Sequence, residues 1–153
     1  MIFIKFVLNH LNRKVTTLDT TEAKRAIIIE DFKLIAEVWQ SILESQGITT
    51  LKIYDNADGI ENEILELCPD IILMDINLKG KINGIQLTSK LLKSNPNLRV
   101  LVLTIHNSEN YILKAKKAGA RGYITKNSSI TELNLAIQTV LDERFYFDSV
   151  YLN

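Results

Sequence analysis

Four stretches of this chain run apolar residues into a reactive side chain. "AIIIED" closes on Glu30 and Asp31, "DIILMD" on Asp75, "LRVLVLT" on Thr104, and "RGYITK" on Lys126. Two carboxylates about 4 Å apart repel by roughly 4 kcal/mol at an effective dielectric near 20. Three stay ionised together only with a cation among them. Mg²⁺ suits such a set, because it takes a few carboxylate oxygens together with water and a phosphate oxygen. The Lys126 ammonium and the Thr104 hydroxyl then remain to hold further oxygens of a phosphoryl group. Asp75, central and backed by apolar residues, is the natural nucleophile, and its product is an aspartyl phosphate. Each residue alone has a plainer reading: a turn at Asp75, a helix cap at Glu30 or Asp31, a solvated lysine at Lys126. Their coincidence at one sheet edge is what those plainer readings leave unexplained.

That coincidence requires strands that end side by side. "AIIIE" (26–30) is a short β-branched run, as expected of a parallel strand covered on both faces. Phe32, Ile35, Trp39, Ile42 and Leu43 then fall at helical spacing, and Gly47 supplies the stop. "ITTLKIY" (48–54) alternates more and reads as an edge strand. Ile60, Ile64 and Leu67 form a helical stripe ended by Pro69. "DIILMD" is the third strand, and a helix over 84–94 follows, closed by "SNPN". "LRVLVLT" (98–104) is the fourth strand. "SENYILKAKKAGA" begins with Ser108 as a candidate N-cap and ends at Gly119. "RGYIT" is a short fifth strand, and Leu133, Ile137, Val140 and Leu141 mark a last helix from about Ser129 to Glu143.

Five strands alternating with five helices make an α/β fold: a doubly wound, five-stranded parallel sheet. The order 2-1-3-4-5 puts the weaker second strand at an edge. In such sheets chemistry sits in the crevice beyond the carboxyl ends of the strands, where all four reactive tips lie.

Bulk properties narrow the partners. The 153 residues carry 18 Lys+Arg and 18 Asp+Glu, so no global basic field points to nucleic acid or an anionic membrane. The one cysteine, Cys68, allows no internal disulfide and is expected to be a partly buried structural thiol. A reducing, cytoplasmic setting follows from that usage. The opening "MIFIKFVLNHLNRK" is too short to span a bilayer, and its basic residues follow its apolar part, the reverse of a signal peptide. Residues 1–23 therefore read as an extension of unassigned role.

With these residues placed, the chain resembles a response-regulator receiver domain, the phosphate-accepting half of two-component signalling. The matching motifs are "IIIEDF", "IILMDINL", "VLVLTIH" and "GARGYITK", and the likeness covers residues 24–144, leaving 145–153 as the start of a linker or tail. The resemblance implies the flavodoxin-like receiver fold. It also implies Mg²⁺ held by Glu30, Asp31, Asp75 and the backbone carbonyl of Asn77, with phosphate accepted on Asp75 and its oxygens bound by Thr104 and Lys126. Tyr123 would swing inward on activation. "AGARGYITKNSSITELNLAIQTVL" further resembles the NarL/LuxR-type subfamily, whose receivers usually precede a helix-turn-helix domain. The implied partner is a sensor histidine kinase, and phosphorylation-linked homodimerisation is expected. The only reactions implied are the chain's own phosphorylation and dephosphorylation. Since only "RFYFDSVYLN" follows the last helix, this chain alone is not expected to bind DNA.

Three positions depart from the family pattern. Lys79 stands where a proline is usual, "LKGKING" runs one residue longer before Gly84, and Asn127 replaces the proline that often follows the lysine. Among other residues, His106 either lines the pocket mouth or is solvated. Lys114, Lys116, Lys117 and Arg121 read as a solvated helix face or part of an output surface. A haloacid-dehalogenase-type phosphatase would need an acid at position 77 and a cap insertion. A flavin or nucleotide site would need a glycine-rich loop after the first strand. The better rival is a pseudo-receiver acting by protein contact alone, but such a module would be expected to lose an acid or the lysine.

Overall fold

A computed structural model describes residues 22–147. The N-terminal extension up to residue 21, and residues 148–153, lie outside it. Five parallel strands, β1 (Arg25–Ile29), β2 (Thr49–Tyr54), β3 (Ile71–Met74), β4 (Val100–Thr104) and β5 (Gly122–Thr125), form one sheet in the order β2-β1-β3-β4-β5. They alternate with α1 (Lys33–Ser45), α2 (Glu61–Leu67), α3 (Gly84–Ser94), α4 (Glu109–Lys117) and α5 (Ile130–Leu141). The expected order and the expected edge position of β2 are both observed.

The period-two pleat divides the core. On β1, Ile27 and Ile29 join Ile72, Met74, Val100 and Val102 on the face covered by Ile64 of α2, Leu87 and Leu91 of α3, and Ala115 of α4. Ala26 and Ile28 join Ile71, Leu73, Leu101 and Leu103 on the other face, beneath Trp39 and Leu43 of α1 and Leu133, Ile137 and Val140 of α5. Both faces are covered, which is why β1, β3 and β4 read as unbroken apolar runs. Full burial of each such isoleucine or leucine contributes about 2 kcal/mol, so the sheet outweighs a costly charged cluster at its edge.

Register decides where the reactive tips meet. Ile29 pairs with Met74, Met74 with Val102, and Thr104 with Thr125. One step beyond, Asp75 N–H donates to the Ile29 carbonyl at 2.9 Å, Glu30 N–H to Tyr54 at 2.9 Å, and Lys126 N–H to Thr104 at 2.8 Å. Backbone pairing therefore sets Glu30, Asp75, Thr104 and Lys126 side by side before any side chain contributes.

Helix ends follow the sequence with some differences. Ser129 and Glu132 form a reciprocal capping box at the start of α5, and Asn83 and Gln86 form another at the start of α3. Ser108 occupies the N-cap of α4 without a side-chain capping bond. Cys68 is exposed, contrary to expectation, because it ends α2 in the left-handed conformation at φ 48°. Past α5, Tyr146 N–H donates to Arg121 and accepts Tyr123 N–H on its own carbonyl, both at 2.9 Å, so the segment lies along the free edge of β5. Phe147 is buried in the same core as Tyr123.

Candidate functional site

The carboxylate oxygens of Glu30, Asp31 and Asp75 all come within 4.8 Å of one another. Glu30 and Asp75 are each only 2% exposed, while Asp31 is half-buried at the rim. Lys126 Nζ lies 2.6 Å from Glu30 Oε2 and 2.9 Å from Asp75 Oδ2, tying the ends of β1, β3 and β5 together. The remaining oxygens of the two buried acids are also directed. Glu30 Oε1 accepts the Phe32 N–H at 3.0 Å, and Asp75 Oδ1 accepts the Ile76 N–H at 2.7 Å. Burial pushes the Glu30 carboxyl above its usual range, opposed by the bonds from Lys126 and Phe32 and reinforced by the charge of Asp75. Three carboxylates against one ammonium leave a negative site, and its all-oxygen donor set fits a hard divalent cation such as Mg²⁺.

The far wall is β4 and β5. Thr104 is fully buried, and its Oγ1 accepts the His106 N–H at 3.4 Å. Tyr123 is turned inward and buried, its hydroxyl donating to the His106 carbonyl at 2.8 Å. Burial raises the Tyr123 phenol well above its ordinary value, with nearby Tyr111 and Asp75 adding to the shift. Asn77 is exposed, and its Oδ1 lies 3.0 Å from His106 Nε2, whose ring stacks on Tyr111 at 4.0 Å between centroids. His106 thus bridges the loops after β3 and β4 across the site, closer to the pocket-mouth expectation than to a solvated loop. The acidic side opens into a cleft of about 450 Å³ lined by Glu30, Asp31, Lys33, Glu37, Gln40 and Asp55.

Two supports were not visible in the strand tips. Gly84, the first residue of α3, packs so tightly against β3 that an added Cβ would stand 1.9 Å from the Asp75 carbonyl oxygen. The spacing of α3 marks where that helix begins but not how near it comes. The longer loop is held from outside its own sequence. Asp58 takes the Lys81 N–H on both carboxylate oxygens at 2.9 Å and the Ile82 N–H at 3.3 Å, while Asn56 bridges to Lys79. Asp58→Ala is expected to cost about 1.5 kcal/mol, read as a shift in urea midpoint, and to weaken Mg²⁺ binding through the loosened loop. A variant with wild-type stability and affinity would show that the loop holds its own shape. At the third departure, the Lys126–Asn127 bond is trans, with no cis peptide among the described residues.

The family model for the response regulator receiver domain matches residues 26–138, which contain every side chain named at the site. The chain belongs to that family. Its relatives place this receiver with response regulators of the NarL/LuxR type. Among them, the oxygen regulatory protein NreC of Staphylococcus epidermidis is 32% identical over 126 residues, covering 81% of this chain and 57% of that protein. The receiver chain thus spans little more than half the length of the curated relatives it matches. A two-component response regulator of the LuxR family from Aurantimonas sp. SI85-9A1 superposes with a TM-score of 0.78 at 29% identity, covering 84% of this chain and 92% of that one. The signal receiver domain of the NarL response regulator from Mycobacterium tuberculosis superposes with a TM-score of 0.73 at 25% identity, covering 80% and 99%. Receivers of this kind are signalling modules that interact with histidine kinases and hold Mg²⁺ at an acidic pocket. No helix among the described residues is long and apolar enough to cross a membrane.

Proposed function

We propose that this receiver is a phosphorylation-driven switch in which Asp75 takes a phosphoryl group from the phosphohistidine of a sensor kinase. The observation that carries this reading is the contact of Lys126 Nζ with both Glu30 and Asp75 beside the half-buried Asp31. In the reaction an Asp75 carboxylate oxygen attacks phosphorus, the P–N bond to the kinase imidazole breaks, and the imidazole leaves with the bonding electron pair. An aspartyl phosphate remains. Glu30, Asp31, Asp75 and the Asn77 backbone carbonyl would hold Mg²⁺, which when bound supplies positive charge to the transferring oxygens. Lys126 gives up a carboxylate contact and donates to a phosphoryl oxygen instead. The Thr104 hydroxyl, at the opposite wall, donates to another.

The switch then acts through β4 and β5. Drawing Thr104 toward the phosphoryl group disturbs the His106 N–H that it now accepts, and His106 carries the acceptor for the Tyr123 hydroxyl. Tyr123 is bonded through its backbone to Tyr146, so a change at the site reaches the segment after α5. A cleft of about 390 Å³ lined by Ile112, Tyr123, Ser128, Tyr146 and Phe147 gives this region room to rearrange. Phosphorylation shifts an existing equilibrium at the α4–β5–α5 face toward a partner-competent state, through which it controls a transcriptional output and favours pairing of two copies. The setting we assign is cytoplasmic.

Hydrogen exchange with and without beryllofluoride and Mg²⁺ tests the coupling. Backbone amides of residues 104–125 and of Tyr146 are expected to change rate by about fivefold or more, equivalent to roughly 1 kcal/mol. Thr104→Ala is expected to bind beryllofluoride yet lose the distant change. Binding without any change in the wild type would favour a module that signals by contact alone.

A further inference from the structure

The tryptophan on α1 does more than fill the core. Trp39 is 4% exposed, and Lys126 Nζ sits over its ring, 5.3 Å from the centroid. That is within the range in which an ammonium is held by the negative face of an aromatic ring, and the lysine side chain is itself only 12% exposed, so water screens the attraction little. We propose that Trp39 is a positioning residue for the phosphoryl-binding lysine. This rests on the phosphoacceptor reading of Asp75.

The physical case turns on what each neighbour of Lys126 demands. Glu30 and Asp75 hold the ammonium through lone pairs, and a divalent cation at the site competes for those same oxygens. As the carboxylates turn to a metal and a phosphoryl group, Lys126 loses the contacts that fix it. The ring face keeps no lone pair in the plane of a hydrogen bond and takes no oxygen from the metal. It therefore holds the ammonium near the phosphoryl site in both states and leaves the N–H groups that point away from the ring free to donate. Ala36, fully buried on the same helix, and Leu43 fix the helix against the sheet, so the ring has a firm backing.

The chain holds a single tryptophan, so replacing tryptophan throughout with fluorinated analogues alters this ring alone. Fluorination drains the negative potential of the ring while nearly keeping its shape. Beryllofluoride affinity in saturating Mg²⁺, measured by titration calorimetry, is expected to fall stepwise from mono- to tetrafluorotryptophan, reaching about tenfold. Mg²⁺ affinity without beryllofluoride is expected to stay within about twofold, because no phosphoryl oxygen then draws on the Lys126 N–H groups. Trp39→Phe is expected to keep most of the affinity that Trp39→Leu loses. A flat fluorination series in protein that binds beryllofluoride overturns the inference alone. Failure of the unsubstituted protein to bind beryllofluoride overturns the phosphoacceptor reading, and this inference with it.

Discussion

Lys126→Met is expected to lower stability by about 3 kcal/mol at neutral pH and to reduce phosphorylation of Asp75 by at least about a hundredfold. The two effects share one cause. The lysine is the cation between Glu30 and Asp75, both nearly inaccessible to water, and removing one partner of a buried charged set leaves the others uncompensated. Glu30 already lies above its ordinary range through burial, and loss of its strongest opposing bond raises it further. A group whose folded-state pKa is raised contributes full stability below its unfolded pKa and loses it as pH rises through the folded value. The deficit is therefore small in mild acid and grows toward neutrality. Urea denaturation across that range checks the sign. Added Mg²⁺ is expected to recover stability in the variant but not phosphorylation, because a metal replaces the missing charge without supplying the missing donor. A deficit independent of pH would mean that Lys126 acts mainly through packing.

Gly84→Ala is expected to be the most damaging methyl group that can be added near the site. Its new carbon would fall 1.9 Å from the Asp75 carbonyl oxygen, and backbone on both sides leaves nothing flexible to yield. Overpacking of this kind costs about 3 kcal/mol, and the forced shift moves the phosphoacceptor itself. A displacement near 1 Å at a reacting group is worth about a hundredfold in rate. Gly59→Ala provides the contrast. Its position is strained at φ +71° but has nothing within 4 Å, so it is expected to cost about 1 kcal/mol with phosphorylation unchanged. Equal losses of stability and phosphorylation in the two variants would show that the close approach of α3 to β3 does not set the position of Asp75.

The sequence discloses this molecule unevenly, for physical reasons. β1, β3 and β4 are readable because burial on both faces demands unbroken apolar runs, and such runs end where the chain leaves the sheet. Glu30, Asp75, Thr104 and Lys126 stand out at those ends because a parallel sheet aligns its carboxyl edges in register. Contacts between distant loops leave no such mark. Asp58 sits 23 residues before the Lys81 amide that it clamps, in a stretch with no periodicity to read. Helical spacing shows that Trp39 is buried but not that its ring faces Lys126. It says nothing of Tyr146 and Phe147, whose docking depends on a free strand edge that exists only once the sheet has formed. Cys68 illustrates the opposite error, since a lone thiol is expected to be partly buried and this one is exposed at the left-handed end of α2.

The central claim is that Asp75 accepts the phosphoryl group, and intact mass tests it most directly. Wild type and Asp75→Asn would be incubated with acetyl phosphate, with and without Mg²⁺, and beryllofluoride binding would be measured on the same samples to cover a short-lived adduct. The account predicts a single phosphoryl adduct, or stoichiometric beryllofluoride binding, that requires Mg²⁺ and is absent from Asp75→Asn. An adduct that persists in the variant, or a wild type that takes up neither phosphoryl group nor beryllofluoride, would contradict it.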